Sequence, residues 1–163
     1  MTDARRRITA QTPRAAGRGF TLVELIIVIA VIAILVGIAL PRLRGMIDEG
    51  NTAKAAAELR ALQAAVESYY IHNSKTYPAT GATWQSALTS ARPKLIGTAL
   101  IDPFSTSSAQ YQFAKSSNIY YIIWSVGPDN TADITGVDSS GNLTGAADDD
   151  IYVSNGTSGT GGF

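Results

Sequence analysis

Six aspartates and no base lie in one stretch near the C-terminus: Asp129, Asp133, Asp138, Asp148, Asp149 and Asp150. Gly136, Gly141 and Gly145 supply sharp turns within it. Calcium takes about six to eight hard oxygens from flexible loops, so carboxylates and backbone carbonyls suit it. Zinc does not fit, because the chain has no cysteine and a single distant histidine, His72. The spacing is not that of an EF-hand, which needs Asp-x-Asp-x-Asp-Gly and a later glutamate. A plain solvated acidic loop is the blander reading, and the one that composition alone favours.

The second chemically conspicuous residue is Glu24, the single charge in the 21 residues from Phe20 to Leu40, FTLVELIIVIAVIAILVGIAL. A carboxylate in hydrocarbon costs about 2–3 kcal/mol near a bilayer centre and less near an end, so it usually has a partner or snorkels to the interface. Catalytic chemistry finds no support elsewhere. His72 sits at a predicted helix end with no identifiable Ser or Asp partner, and there is neither a Gly-Lys-Ser/Thr phosphate loop nor Gly-x-Gly-x-x-Gly. Trp84, Trp124 and the pairs Tyr69-Tyr70 and Tyr120-Tyr121 read as core or subunit-contact residues. No catalysis is expected.

The element that carries Glu24 is a helix of about 21 residues spanning roughly 30 Å, the thickness of bilayer hydrocarbon. A soluble domain of this size rarely encloses a helix apolar on every face, so residues 20–40 read as a membrane span. The chain has 163 residues and a formal net charge of zero, but the charges are segregated. Five arginines (Arg5, Arg6, Arg7, Arg14 and Arg18) less Asp3 give residues 1–19 a net +4. In the remaining 144 residues, 8 bases against 12 acids give −4. The basic head should stay cytoplasmic and send the C-terminus outward. A globular part without a basic tract is a poor nucleic-acid binder. Disulfides are impossible.

Pro41 lacks an N–H and clashes with the carbonyl of Gly37, itself a weak helix former, which predicts a kink or meltable stretch between them. From Pro41 to about His72, Leu59, Leu62, Val66 and Tyr69 or Tyr70 recur at helical steps among many alanines, with Glu49, Lys54, Glu58 and Arg60 on the solvated side. A helical turn is expected over Trp84–Leu88. Strands are predicted at Gln110–Phe113, Ile119–Val126 and Ile151–Val153. These elements make an α+β fold: a long N-terminal helix, half transmembrane and half amphipathic, packed on a small antiparallel sheet. The Gly/Ser-rich residues 154–163 read as a flexible tail with no core to join.

Gly17-Arg18-Gly19 followed by Phe20-Thr21-Leu22-Val23-Glu24 and about sixteen apolar residues resembles the type IV prepilin family, which includes the pseudopilins of type II secretion. That resemblance implies a leader, residues 1–19, removed by prepilin peptidase between Gly19 and Phe20, and methylation of Phe20. It also implies that Glu24 pairs with the new amine of a neighbouring subunit during assembly, and that Pro41 occupies a position where many members carry proline. Tyr77-Pro78, Asp102-Pro103-Phe104, Tyr111, Ser125-Val126-Gly127-Pro128-Asp129 and the late Asp-Asp-Ile look like the major pseudopilin of type II secretion, with a pilus subunit for adhesion, motility or DNA uptake as the alternative. In that subfamily a C-terminal loop binds calcium, and Asp129 and Asp150 match its ligand region best, with Asp148 or Asp149 able to substitute. The resemblance then assigns residues 20–40 to span and assembly and 41–153 to a pilin-like head with the acidic loop at 129–150. It implies a subunit held in the bacterial inner membrane until polymerised into a periplasmic pseudopilus or surface pilus. Its partners would be copies of itself, prepilin peptidase, an inner-membrane assembly platform, minor pilins or pseudopilins, and lipid before assembly.

Overall fold

The computed structural model describes residues 19–161. Most of the expected leader, with its arginines, and the last two residues of the tail lie outside the described residues. The chain divides after Pro41 into two compact units.

Helix α1, Leu22–His72, contains Pro41, and its helical backbone runs through Gly37 and Pro41. The weakness expected there is therefore not a break in the isolated chain. In the first unit every described residue is exposed, including Leu25, Ile29 and Leu35. This part of α1 is long and apolar enough to cross a membrane. Nothing within the unit itself covers its apolar surface.

The second unit has a core. Here α1 buries Ala55, Ala56, Leu59, Leu62, Ala65 and Val66 along one stripe, because steps of three and four residues return to the same helix face. The small alanines let the sheet approach. One expectation needs correcting: Glu58 is not a solvated residue. It is half-buried, and its Oε2 accepts a 2.6 Å hydrogen bond from the Tyr111 hydroxyl. Glu67 Oε1 accepts one of 2.8 Å from Tyr121. Two tyrosines thus pin the helix to the sheet through carboxylates that would otherwise lose solvation unpaired.

Helix α2, Ser86–Ser90, is a single turn that starts just after Trp84. Trp84 lies buried before it and donates from Nε1 to the Tyr111 carbonyl at 2.7 Å. The strands are β1 (Gln112–Ser116), β2 (Tyr120–Ser125), β3 (Ile134–Val137), β4 (Leu143–Gly145), β5 (Ile151–Ser154) and β6 (Thr160–Gly161). One antiparallel sheet has the order β1-β2-β5-β6, and β3-β4 forms a separate hairpin. The first strand begins later than Gln110 and runs on to Ser116, since Tyr111 carries the Trp84 bond and Gln110 bridges Ile101. The hairpin was not expected from the sequence. Nor was β6: the tail turns back and pairs with β5, at Tyr152↔Gly161 and Val153↔Thr160.

Alternation along β2 explains the layering. Tyr121 and Ile123 join the cluster that holds the α1 stripe, with Phe113, Ile151 and Val153. Ile122 and Trp124 join Ile134 of the hairpin, with Ala114, Val137, Leu143 and Tyr152 around them. The head is therefore three layers, helix, sheet and hairpin, and β2 is covered on both faces. Asp102, also buried, ties the loop before β1 to the end of β2: its Oδ1 accepts from Ser125 Oγ and Phe104 N, and its Oδ2 from Val126 N. The expected α+β, pilin-like arrangement is present, with an added layer.

Burial, reinforced by Glu67, pushes the Tyr77 hydroxyl up to about 12. Burial and the carboxylate acceptors push Tyr111 and Tyr121 higher as well. Tyrosines in the unfolded chain ionise near pH 10, so above that pH the unfolded state loses protons first. Stability is then present below pH about 10 and falls as pH rises through about 12. Denaturant melts across that window, with tyrosinate absorbance followed in parallel, should show the loss. A stability that stays flat to pH about 12 would contradict these buried hydroxyls.

Candidate functional site

Two places carry the chemistry, one in each unit. In the first, Thr21 and Glu24 close on each other. The Glu24 Oε2 accepts from Thr21 N and from its hydroxyl, both at 2.9 Å, and Glu24 N donates to Thr21 Oγ1 at 3.2 Å. This is a reciprocal capping box: the threonine serves as N-cap, and the glutamate three residues on reaches back to satisfy its N–H. The Thr-x-x-Glu spacing is present in the sequence, but the partner expected for Glu24 was the new amine of Phe20 and not Thr21. Phe20 and Gly19 precede the helix and are exposed. Pro41 lies inside α1 and is likewise exposed.

In the second unit, the acidic stretch folds around β3 and the segment before β5. Asp129, Asp133 and Asp149 bring carboxylate oxygens within 4.8 Å of one another. Two of these, Asp129 and Asp149, were named from the sequence. The third, Asp133, was counted among the six aspartates but not selected, since its role depends on β3 beginning at Ile134. Asp148 is exposed and lies outside the trio.

Asp150 is fully buried beneath it. Its Oδ2 accepts from Asp133 N at 2.9 Å and Ile134 N at 2.7 Å, which fixes the start of β3. Burial pushes its carboxyl above the ordinary range; those two N–H groups oppose the rise, and Asp133 and Asp149 add to it. Asp138 does a different job. Its Oδ1 accepts from Ser140 N and Asn142 N, both at 2.8 Å, and the Asn142 bonds hold its carboxyl below the usual range. It forms the hairpin turn rather than a ligand group.

The trio is held by backbone. Asp129 N donates to Asp149 Oδ2 at 2.8 Å, and Thr131 N donates to Asp129 Oδ1 at 2.7 Å. Gly127 sits at φ +67°, and a Cβ there would lie 2.5 Å from the Asp149 carbonyl oxygen. The two acid-bearing segments cross at that glycine. Asp149 Oδ1 and Asp150 Oδ1 are buried without a hydrogen-bond partner. Buried carboxylate oxygens normally find a donor or a cation. With three acids converging and no base in the stretch, the donor set fits a hard divalent ion. The cluster could hold a metal ion.

Residues 14–40 match the prokaryotic N-terminal methylation motif. The chain is 30% identical over 127 residues to the type II secretion system core protein G of Dickeya chrysanthemi, covering 71% of this chain and 80% of that protein. The chain belongs to the type II secretion core protein G family. A second family member, from Klebsiella michiganensis, is 36% identical over 76 residues, 47% of this chain and 53% of that one. The alignment thus spans about half the length of that relative. The type IV major alpha-pilin of Moraxella bovis is 47% identical over 53 residues, 32% of this chain and 33% of the pilin. No solved structure gives a significant match. Within the family motif lie Gly19, Phe20 and Glu24.

Gly127→Ala should cost about 1–3 kcal/mol, because it forces a positive-φ alanine against backbone. Gly97→Ala, with open space around its Cβ and no positive φ, is the control. Thermal melts of the two variants should differ by several degrees, and equal melting temperatures would refute the close crossing.

Proposed function

We propose that the chain is the repeating subunit of a type II secretion pseudopilus, a structural rather than a catalytic protein that serves protein export. The carrying observation is the methylation motif over residues 14–40 joined to the 127-residue alignment with a core protein G. In this reading residues 1–19 are a leader cut by prepilin peptidase between Gly19 and Phe20. Residues 20–40 hold the subunit in the inner membrane, with the head (41–153) and tail outside. Cleavage leaves a cationic amine on Phe20. In a low-dielectric bundle of staggered spans, Glu24 of one copy attracts the amine of the next, and each copy trades lipid for neighbouring helices. The uncovered apolar surface of α1 supports this, since it needs either lipid or further copies of itself. Head-to-tail contacts that do not close into a ring would build a filament, together with the assembly platform and minor pseudopilins.

Calcium is the ion this reading assigns to the acidic loop, with Asp129, Asp133 and Asp149 as carboxylate ligands and Asp150 beneath them. When bound, it supplies positive charge between the 127–133 turn and the 148–150 segment. The residues themselves hold the loop in shape through Gly127 and the Asp150 bonds to β3. A type IV pilus subunit is the second reading, favoured by the 47% identity to a Moraxella pilin, although over only 53 residues.

Glu24→Ala should leave the protein membrane-inserted, with secretion and filament formation lost. Normal filaments from that variant would sink the assembly role. Deletion of the gene should abolish exoprotein release without removing long surface filaments, and the reverse pattern favours a pilus. Chelator should lower the melting temperature of the full chain in detergent. An unchanged melting curve with and without calcium would refute the metal site.

A further inference from the structure

Residues after β5 do more than extend the sheet. Residues 155–161 leave β5, reach the turn of the β3-β4 hairpin and come back as β6. At the turn, Thr157 N donates to the Gly141 carbonyl at 2.9 Å. The Thr157 hydroxyl, 3.0 Å from Gly141 O and 2.7 Å from Asn142 Oδ1, shares its one proton between them. Leu143 N donates to Ser158 Oγ at 2.9 Å. Gly156 passes so close to Gly141 that a Cβ on it would overlap the Gly141 carbonyl oxygen. On another side of the turn, a Cβ on Gly141 would lie 2.9 Å from the Tyr120 ring. The turn is clamped between a tyrosine and the returning tail.

The tail is itself anchored to the main sheet. Asn155 accepts from Tyr121 N at 2.7 Å and donates from Nδ2 to the Ile119 carbonyl at 2.9 Å and to the Tyr77 hydroxyl at 3.2 Å. Ser154 N donates to the Gly159 carbonyl at 2.8 Å. The hairpin therefore has two fixed ends. Its turn is held by the tail, and its open end, where Asp133 precedes Ile134, is held by Asp150. A hairpin of four and three residues has little stability of its own.

We infer that residues 155–161, through Thr157 and Ser158, act as a positioning strap that sets Asp133 against Asp129 and Asp149 and so raises the affinity of the acidic loop for a divalent cation. This rests on the reading of that loop as a calcium site. The strap works by preorganisation: the hairpin is ordered before the ion arrives, so less ordering is needed on binding. It touches no ligand directly.

The test uses calcium, titrated calorimetrically into the full chain in detergent micelles, alongside hydrogen exchange of residues 134–145. Thr157→Val keeps the branched shape and removes the hydroxyl. It should weaken calcium binding roughly three- to tenfold, the range for one hydrogen bond, and speed exchange in the hairpin. Thr157→Ser should bind within about twofold of wild type by the same reckoning. Val66→Ala, in the α1 core, should lower the melting temperature and leave calcium affinity unchanged, which separates positioning from general stability. Wild-type affinity in Thr157→Val, failure of Thr157→Ser to restore binding, or an equal loss in Val66→Ala overturns the strap and leaves the calcium site standing. A wild-type chain that binds no calcium overturns both.

Discussion

Strand β2 is the member on which the head depends. Its alternate residues face opposite ways, as any strand's do, but here both faces are apolar and both are covered. Tyr121 and Ile123 meet the α1 stripe, while Ile122 and Trp124 meet the hairpin. Hydrogen bonds to β1 and β5 close its two edges. Either layer alone would leave half of this strand in water. The acidic loop and the tail strap are arranged around the same fact, because they are how the outer layer is attached.

The other unit of α1 poses the opposite condition. From Phe20 to Pro41 no residue is buried, and most of the surface is aliphatic. One chain cannot meet that condition alone. The one carboxylate between Phe20 and Leu40 is satisfied locally by Thr21, which lowers the cost of keeping Glu24 in an apolar segment. The helix start is thereby marked by Thr21 and Glu24.

Much of this was legible in the sequence. The α1 stripe could be read because Leu59, Leu62 and Val66 keep a strict helical period, and β2 because a run of β-branched and aromatic residues has few other uses. The hairpin could not be read, since β3 and β4 hold only seven residues, rich in Gly and Thr, and their apolar content becomes visible only once Trp124 and Ile122 need a cover. The tail was misread for a related reason: its glycines suggested a linker, yet Gly156 and Gly161 are small because backbone and ring pass against them. Of the acidic site, Asp129 and Asp149 were recoverable from pattern. Asp133 was not, because its place is set by the start of a strand the sequence did not announce. Glu58 was assigned to solvent by charge alone, and only the sheet reveals the tyrosine that claims it.

The layering also imposes an order in time. The helix, β1 and β2 lie in the first 125 residues, whereas the outer hairpin, β5 and the strap all come after them. A chain made from its N-terminus therefore presents α1 and the β1-β2 pair while the far face of β2, with Ile122 and Trp124, is still bare. That face is closed by the hairpin, from Ile134 to Gly145, and its turn is secured by Thr157 and Ser158. The head is a structure that cannot be finished early: a chain interrupted before Ile134 keeps its helix and the β1-β2 pair and presents a sticky sheet where a sealed one belongs.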